Sequence, residues 1–292
     1  MKLFLISLGT LGITLMIGLI ARFWGLSLPY KKFEHPFFQT TQIDSQPLSI
    51  PVLNEQHFEL VTGSLTDPTS VTKTPPAQTH AFKFKLHEPA RLVLWINVYL
   101  TSDRKLISDF GFNVDTFMEK QRAQNKFKGK FVHNYTLAEI TESVTPITTL
   151  DEVIKSFPGH QFVLNILTNE TNVHKDVVEF IETNKLSDHV LINSTIDVVI
   201  KSIKEQKPMW IYGTSIPEAS RVKSFSTLGL EAAISVRGDV FIAPISYLNR
   251  PMINESLVTE MKRRKKYVLI GPVLNDEERK QAEELNPDGI IF

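Results

Sequence analysis

The residues that could do chemistry are few and scattered. Eight histidines, at 35, 57, 80, 87, 133, 160, 174 and 189, are spread along the 292-residue chain. None pairs with another as H-x-x-x-H or H-E-x-x-H, the spacing that sets two imidazoles on one helix face around a metal. A zinc site would have to be assembled from distant positions. Cysteine is absent, which removes disulfides, thiolate nucleophiles and Cys-bearing zinc sites. There is no G-x-S-x-G nucleophile elbow and no phosphate-cradling P-loop. Asp109 follows a short apolar run, where it could be a lone catalytic carboxylate or a solvated or capping residue. Asn97 lies inside another run and could be a neutral metal ligand or a strand-end amide bonded to backbone. Trp95, two residues earlier, could line a ligand pocket or fill core volume. The basic run Lys262-Arg-Arg-Lys-Lys266 could touch anionic lipid headgroups. It could equally end a helix, where cations suit the dipole.

These residues need elements to position them. From about residue 81, short Val- and Ile-rich runs alternate with amphipathic stretches. Strands are predicted at Leu92–Val98, Lys105–Ser108, Phe162–Leu167, Val190–Ser194, Met209–Gly213, Val240–Ile245, Tyr267–Val273 and Gly289–Phe292. Helices are predicted at Thr149–Phe157, with Thr149 as cap, and at Val173–Asn184, Asp197–Gln206, Asn254–Arg264 and Asp276–Leu285. Continuous apolar strands alternating with helices indicate a parallel sheet buried on both faces. About eight such units suit a closed α/β barrel of the (β/α)₈ TIM type better than an open doubly wound sheet. The glycine fingerprint of a dinucleotide-binding turn is missing after the first predicted strand.

The N-terminus is of another kind. Leu3–Ala21 is an uncharged run of 19 residues between Lys2 and Arg22. A bilayer core of about 30 Å takes roughly 20 helical residues, while a signal peptide has a shorter apolar core and a small-residue cleavage site. Residues 1–24 therefore read as a transmembrane anchor, with Phe23 and Trp24 at the interface. A cleaved signal of a secreted or periplasmic protein is the alternative, and Lys2 against Arg22, Lys31 and Lys32 leaves the orientation open. Residues 25–80, rich in Pro, Thr, Ser and Gln, read as a tether or a degenerate first barrel unit. Residues 81–292 read as the barrel. Lys and Arg total 32 and Asp and Glu total 32, so the basic excess of a nucleic-acid-binding surface is missing.

A family resemblance runs through the barrel region. Leu94-Trp-Ile-Asn-Val-Tyr-Leu-Thr-Ser-Asp-Arg-Lys-Leu-Ile-Ser-Asp109 resembles the glycerophosphodiester phosphodiesterase block with Glu-x-Asp on a strand and a closing His-Asp. Tyr135-Thr-Leu-Ala-Glu-Ile140 and Pro146-Ile-Thr-Thr-Leu-Asp-Glu-Val-Ile-Lys-Ser-Phe-Pro158 are similar to the two segments that follow. Phe162-Val-Leu-Asn-Ile-Leu-Thr-Asn169, Val190-Leu-Ile-Asn-Ser194, Leu274-Asn-Asp-Glu-Glu278 and Pro287-Asp-Gly-Ile-Ile-Phe292 match later blocks in order. The resemblance implies a (β/α)₈ barrel and a phosphodiesterase holding Ca²⁺ or Mg²⁺ on strand-end acids, with two histidines as acid and base.

The matching positions are largely substituted. The metal Glu is Trp95 and the metal Asp is Asn97. The His before Asp109 is Ser108, and the later Glu and Lys are Leu167 and Asn169. Only Asp109 keeps the family residue. The expectation is a membrane-anchored barrel without the family's catalysis and without a cofactor. It would bind or scaffold, and Trp95, Leu167 and Asn169 would line a pocket for a phosphodiester or lipid headgroup. The alternative is an active metal-dependent phosphodiesterase, hydrolysing glycerophosphodiesters or lysophospholipids at a rebuilt site with Ca or Mg.

Overall fold

In the computed structural model, the apolar runs line up as strands around one axis. The structure describes residues 2–39, 48–50, 93–108, 113–143 and 147–292; in residues 2–11, 15, 39, 48 and 49 it describes the backbone alone. Asp109, His57, His80, His87 and Pro146 lie outside the described residues.

The first helix, α1 (Lys2–Ser27), leads through Leu28–His35 into the one-turn helix α2 (Pro36–Gln39). Among the described residues eleven strands follow: β1 (Leu48–Ile50), β2 (Val93–Leu100), β3 (Leu106–Ser108), β4 (Gln161–Ile166), β5 (Val190–Ser194), β6 (Ile211–Tyr212), β7 (Val240–Ala243), β8 (Ser246–Tyr247), β9 (Arg250–Pro251), β10 (Tyr267–Ile270) and β11 (Gly289–Ile291). The later helices are α3 (Val114–Ala123), α4 (Leu137–Ser143), α5 (Leu150–Ser156), α6 (Val173–Thr183), α7 (Asp197–Gln206), α8 (Ile216–Thr227), α9 (Glu255–Arg263) and α10 (Asp276–Glu284).

Two parallel arrays make the wall. One runs β2-β4-β5-β6 and the other β7-β10-β11-β1. A parallel bridge between Gly213 and Val240 joins β6 to β7, and β1 lies beside β2. Eight strands thus encircle the core, as the alternation of strands and helices predicts. Their membership differs at one place. Lys105–Ser108 is not a barrel stave: β3 is the antiparallel partner of β2, with Val98 opposite Ser108. The eighth stave is β1, three residues long and ahead of the boundary predicted at 81. A strand that short carries no periodicity to read.

The alternation of side chains sorts the core into shells. Val93, Trp95, Val163, Leu191, Ile211, Val240, Ile242, Leu269 and Ile291 fill the barrel interior together with Phe37 and Ile50. The outward residues of β2, β4 and β5 pack against α5, α6 and α7, and those of β7, β10 and β11 against α8, α9 and α10. Burial on both faces explains why the strands read as unbroken apolar runs. Thr149 caps α5 as predicted: its Oγ1 accepts from the Glu152 amide and Glu152 Oε2 accepts from the Thr149 amide. That reciprocal pair satisfies two of the orphan donors of a helix start.

The floor of the barrel, at the N-terminal ends of the strands, is closed by the chain arriving from α1. Gln161 Nε2, at the start of β4, donates to the Phe37 carbonyl at 2.6 Å, and Phe38 stacks on Tyr267 at the start of β10. Leu3–Ala21, predicted as an anchor, forms most of α1. Among the described residues no helix is long and apolar enough to cross a membrane.

Candidate functional site

A barrel of this kind carries its chemistry at the C-terminal ends of the strands. On β2 one phase runs Val93, Trp95, Asn97 and Tyr99; Val93 and Trp95 fill the interior, Asn97 bonds to Trp95 above them, and Tyr99 packs against the separate cluster of Phe117 and Tyr135. Register places Asn165 of β4 directly beside Asn97, and Asn193 of β5 directly beside Asn165. The three amides form a ladder. Trp95 Nε1 donates to Asn97 Oδ1 at 3.0 Å, and Asn165 Nδ2 donates to the same oxygen at 2.7 Å. Asn193 Nδ2 donates to Asn165 Oδ1 at 3.0 Å.

The ladder ends on β5. Asn193 Oδ1 is buried and has no hydrogen-bond partner among the described residues. Its other neighbour is Gly213, where a Cβ would collide with that oxygen and with Ile242. Only glycine leaves the amide room here. Beyond it Thr214 Oγ1 accepts from the Ile242 amide at 2.8 Å and donates to the Ile242 carbonyl at 2.9 Å, tying β6 to β7. The polar ring from β2 to β7 is therefore neutral: amides and a hydroxyl, with no carboxylate among these residues.

The sequence-predicted residues are placed as follows. Trp95 is 3 % exposed and packs in the barrel interior. It and Asn97 are brought together by their hydrogen bond. Leu167 lies one residue past β4, half-buried, its amide donating to the Val98 carbonyl at 2.9 Å. Asn169 is further out and exposed. Ser108, at the position of the family's His, is fully buried where β3 ends. The basic run is largely engaged internally. Arg263 and Arg264 pair with Glu260, Arg264 also donates to the carbonyls of Glu231 and Ile234, and Lys266 donates to the Gly238 carbonyl.

Sequence reasoning missed Asn165 and Asn193. The signal was present: Trp-Ile-Asn-Val, Val-Leu-Asn-Ile and Leu-Ile-Asn-Ser put an Asn at the same interior phase of three parallel strands.

A histidine, His35, sits at the opposite end. His35 is buried in the floor, stacks with Phe33 and accepts the Phe37 amide on Nδ1 at 3.2 Å. Burial lowers its pKa, and the carboxylates of Asp188 and Asp239 oppose that only in part.

No protein-family model matches the chain, and no curated protein matches its sequence. Solved structures do match. One is a glycerophosphoryl diester phosphodiesterase from Silicibacter pomeroyi, at 13 % identity and a TM-score of 0.54, covering 88 % of this chain and 92 % of that one. The glycerophosphoryl diester phosphodiesterase domain of a Mycobacterium tuberculosis protein matches at 11 % identity and a TM-score of 0.56, over 85 % and 96 % of the two chains. The fold is that of the glycerophosphodiester phosphodiesterases. A third match is an Oleispira antarctica phosphodiesterase in complex with the product sn-glycerol-3-phosphate, at 14 % identity and a TM-score of 0.51, over 84 % and 92 %.

The family resemblance of the sequence implies a divalent cation at the barrel mouth. Ca²⁺ or Mg²⁺ needs several oxygen ligands, carboxylates foremost. Here the amide oxygens of Asn97 and Asn165 accept hydrogen bonds from neighbouring side chains, and among the described residues no group of three His, Cys, Asp or Glu could hold a metal. This donor set does not fit a hard cation.

Proposed function

We propose that this chain is a membrane-anchored barrel of the glycerophosphodiester phosphodiesterase fold that binds or scaffolds instead of hydrolysing. The observation that carries the reading is the ladder Asn97–Asn165–Asn193. Two of the positions where the resemblance puts metal-binding acids are Trp95 and Asn97, and Trp95 and Asn165 turn their donors onto the Asn97 oxygen. An amide cannot accept a proton at neutral pH, and neither amides nor an indole supply the charge that holds Ca²⁺ or Mg²⁺. The ligand we assign to the mouth is a phosphodiester or a lipid headgroup. The Oleispira neighbour holds a glycerol phosphate, and neutral amides supply donors for such a group without a metal.

The anchor is read from the sequence: Leu3–Ala21 is 19 residues without a charge, against the roughly 20 helical residues that a hydrocarbon core of about 30 Å takes. Ile13, Met16, Ile17, Leu19 and Ile20 are all exposed on α1. That is a larger contiguous apolar surface than a water-facing helix usually carries.

The test is hydrolysis. The full chain in lipid nanodiscs is given glycerophosphocholine or lysophospholipid with Ca²⁺, Mg²⁺, Mn²⁺ or Zn²⁺ in turn, and release of the alcohol is followed. No turnover from folded protein, together with saturable binding of glycerophosphocholine or glycerol phosphate, is expected. Metal-dependent turnover that disappears in Asp109→Asn would overturn the reading and establish a rebuilt phosphodiesterase site.

A further inference from the structure

The helix α1 is held against the barrel at definite points. Arg22 donates to the Gly229 carbonyl at 2.8 Å. Arg263, at the end of α9, donates to the carbonyls of Gly25 and Leu26 at 3.2 Å, capping the last turn of α1. Gly25 is buried so closely on Ala232 that any side chain would collide with the Ala232 carbonyl. Higher on the same face, a Cβ at Gly18 would lie 3.6 Å from Leu230 Cδ2. Gly18, Ala21 and Gly25 share one helix face by their spacing. The segment 228–233 runs along that face.

All of these contacts lie at the floor of the barrel. Helix α8 starts just after β6 and ends at Thr227, so segment 228–233 is at the N-terminal end of the strands. Arg263 likewise stands just ahead of β10. Two apolar side chains there are uncovered: Leu228 is 72 % exposed and Phe225 39 %. They are linked, since the amides of Leu228 and Leu230 both donate to the Phe225 carbonyl. The nearest carboxylate, Glu231, accepts from Ser256 on α9.

Registration against α1 gives the depth. The uncharged run of the chain ends at Ala21, and Arg22 marks the boundary. Leu230 lies beside Gly18, four residues back along the helix, or about 6 Å at 1.5 Å per residue. Burial of apolar side chains about 5–10 Å into the headgroup boundary is typical of monotopic membrane contacts. We infer that Phe225, Leu228 and Leu230 insert into the bilayer beside α1, so that the barrel floor sits on the membrane and the asparagine-lined mouth faces away from it. This rests on the reading of Leu3–Ala21 as membrane-embedded. The occupant is the lipid surface that α1 itself enters. The exposed Phe23 and Trp24 at the level of the boundary continue the same contact.

The chain contains no cysteine, so single-cysteine variants need no background mutations. Leu228→Cys and Leu274→Cys, each in the full chain, are labelled with an environment-sensitive fluorophore. Leu274, 82 % exposed, follows β10 at the mouth and serves as the opposite pole. Both are reconstituted in phosphatidylcholine–phosphatidylglycerol vesicles with or without lipids brominated near the headgroup. Vesicle flotation reports the anchor separately. The expected result is flotation of both proteins, with blue-shifted emission and several-fold stronger quenching at 228 than at 274. Flotation with equal emission and quenching at the two sites overturns the inference and leaves the anchor standing. Failure to float removes the anchor, and the inference with it.

Discussion

Asn165 is the middle rung of the ladder, and its removal has a calculable consequence. Asn165→Ala deletes the donor that lies 2.7 Å from Asn97 Oδ1 and the acceptor that lies 3.0 Å from Asn193 Nδ2. Asn97 Oδ1 retains the indole N–H of Trp95. Asn193 fares worse. Its Oδ1 is already without a partner among the described residues, and the change takes the bond from its Nδ2 inside the barrel. One lost hydrogen bond of about 1 kcal/mol and one stranded buried donor of about 1–3 kcal/mol give a loss of about 2–4 kcal/mol. For a chain of this length that corresponds to roughly 4–16 °C in Tm, at about 2–4 °C per kcal/mol. The assay is thermal unfolding of the full chain by circular dichroism, with Asn193→Ala and the double variant alongside. In the cycle the two changes should be less than additive by about 0.5–3 kcal/mol, because they break one shared bond. Additive losses, or a Tm for Asn165→Ala within a degree of the parent, would refute the ladder and with it the proposal that these amides take the place of a cation site.

Three further outcomes follow from the floor and flank. Glu260 is buried, so burial raises its pKa, but the hydrogen bonds and charges of Arg263 and Arg264 outweigh this and the net shift is downward. Its stabilising effect is therefore complete above the unfolded carboxylate value of about 4.3 and is lost as pH falls through the lower folded value. Glu260→Ala strands the buried Arg264 and should lower stability by about 3–5 kcal/mol, read by chemical denaturation at neutral pH. His35 has a lowered pKa, so its contribution is complete above about 6.5 and declines as pH falls from there toward the folded value. Tm measured from pH 7.5 to 5 should drop for the parent chain and stay flatter for His35→Asn, whose amide oxygen can still accept the Phe37 amide. Gly25→Ala would gain about 1 kcal/mol from helix propensity alone. Against the Ala232 carbonyl it should instead destabilise and make α1 more accessible to protease, and a more stable, equally protected protein would count against the close seat.

The parts of the fold legible in the sequence are those where one physical signal dominates. The strands β4, β5, β7 and β10 are apolar on both faces, and runs such as Phe162–Ile166 show it without ambiguity. Helix α7 was predicted with its observed bounds, because Asp197 at its start and the 199, 200, 203 stripe both point to it. The eighth stave was illegible: Leu48–Ile50 has three residues, and its membership comes from pairing with β11, more than 200 residues downstream. The antiparallel β3 was misplaced for the same reason, since parallel and antiparallel pairing leave the same trace in a short apolar run. At the site, the substituted positions Trp95 and Asn97 were readable one at a time. That they join with Asn165 and Asn193 is a property of register across three strands.

That register also bears on the proposal that the mouth works without a metal. Neighbouring parallel strands lie about 4.8 Å apart, so carboxylates at two adjacent rungs would repel by about 3 kcal/mol at an effective dielectric near 20. A cation relieves such a pair, and without one the barrel is weakened where it is most tightly packed. Amides at the same places remove the repulsion and add hydrogen bonds between strands, as Asn165 does to Asn97. Trp95 contributes in the same direction, filling the interior beneath the ladder and directing its N–H into it. Reintroducing charge should therefore expose the trade directly. Asn97→Asp with Asn165→Asp should lose stability by about the repulsion energy plus the lost amide bond, roughly 4 kcal/mol, at neutral pH. It should regain part of that loss as pH falls below about 4 and the acids protonate. Millimolar Ca²⁺ should also restore stability if two adjacent carboxylates are enough to recruit a cation. A double variant as stable as the parent chain without metal at pH 7 would show that neutrality at these two rungs has no structural value.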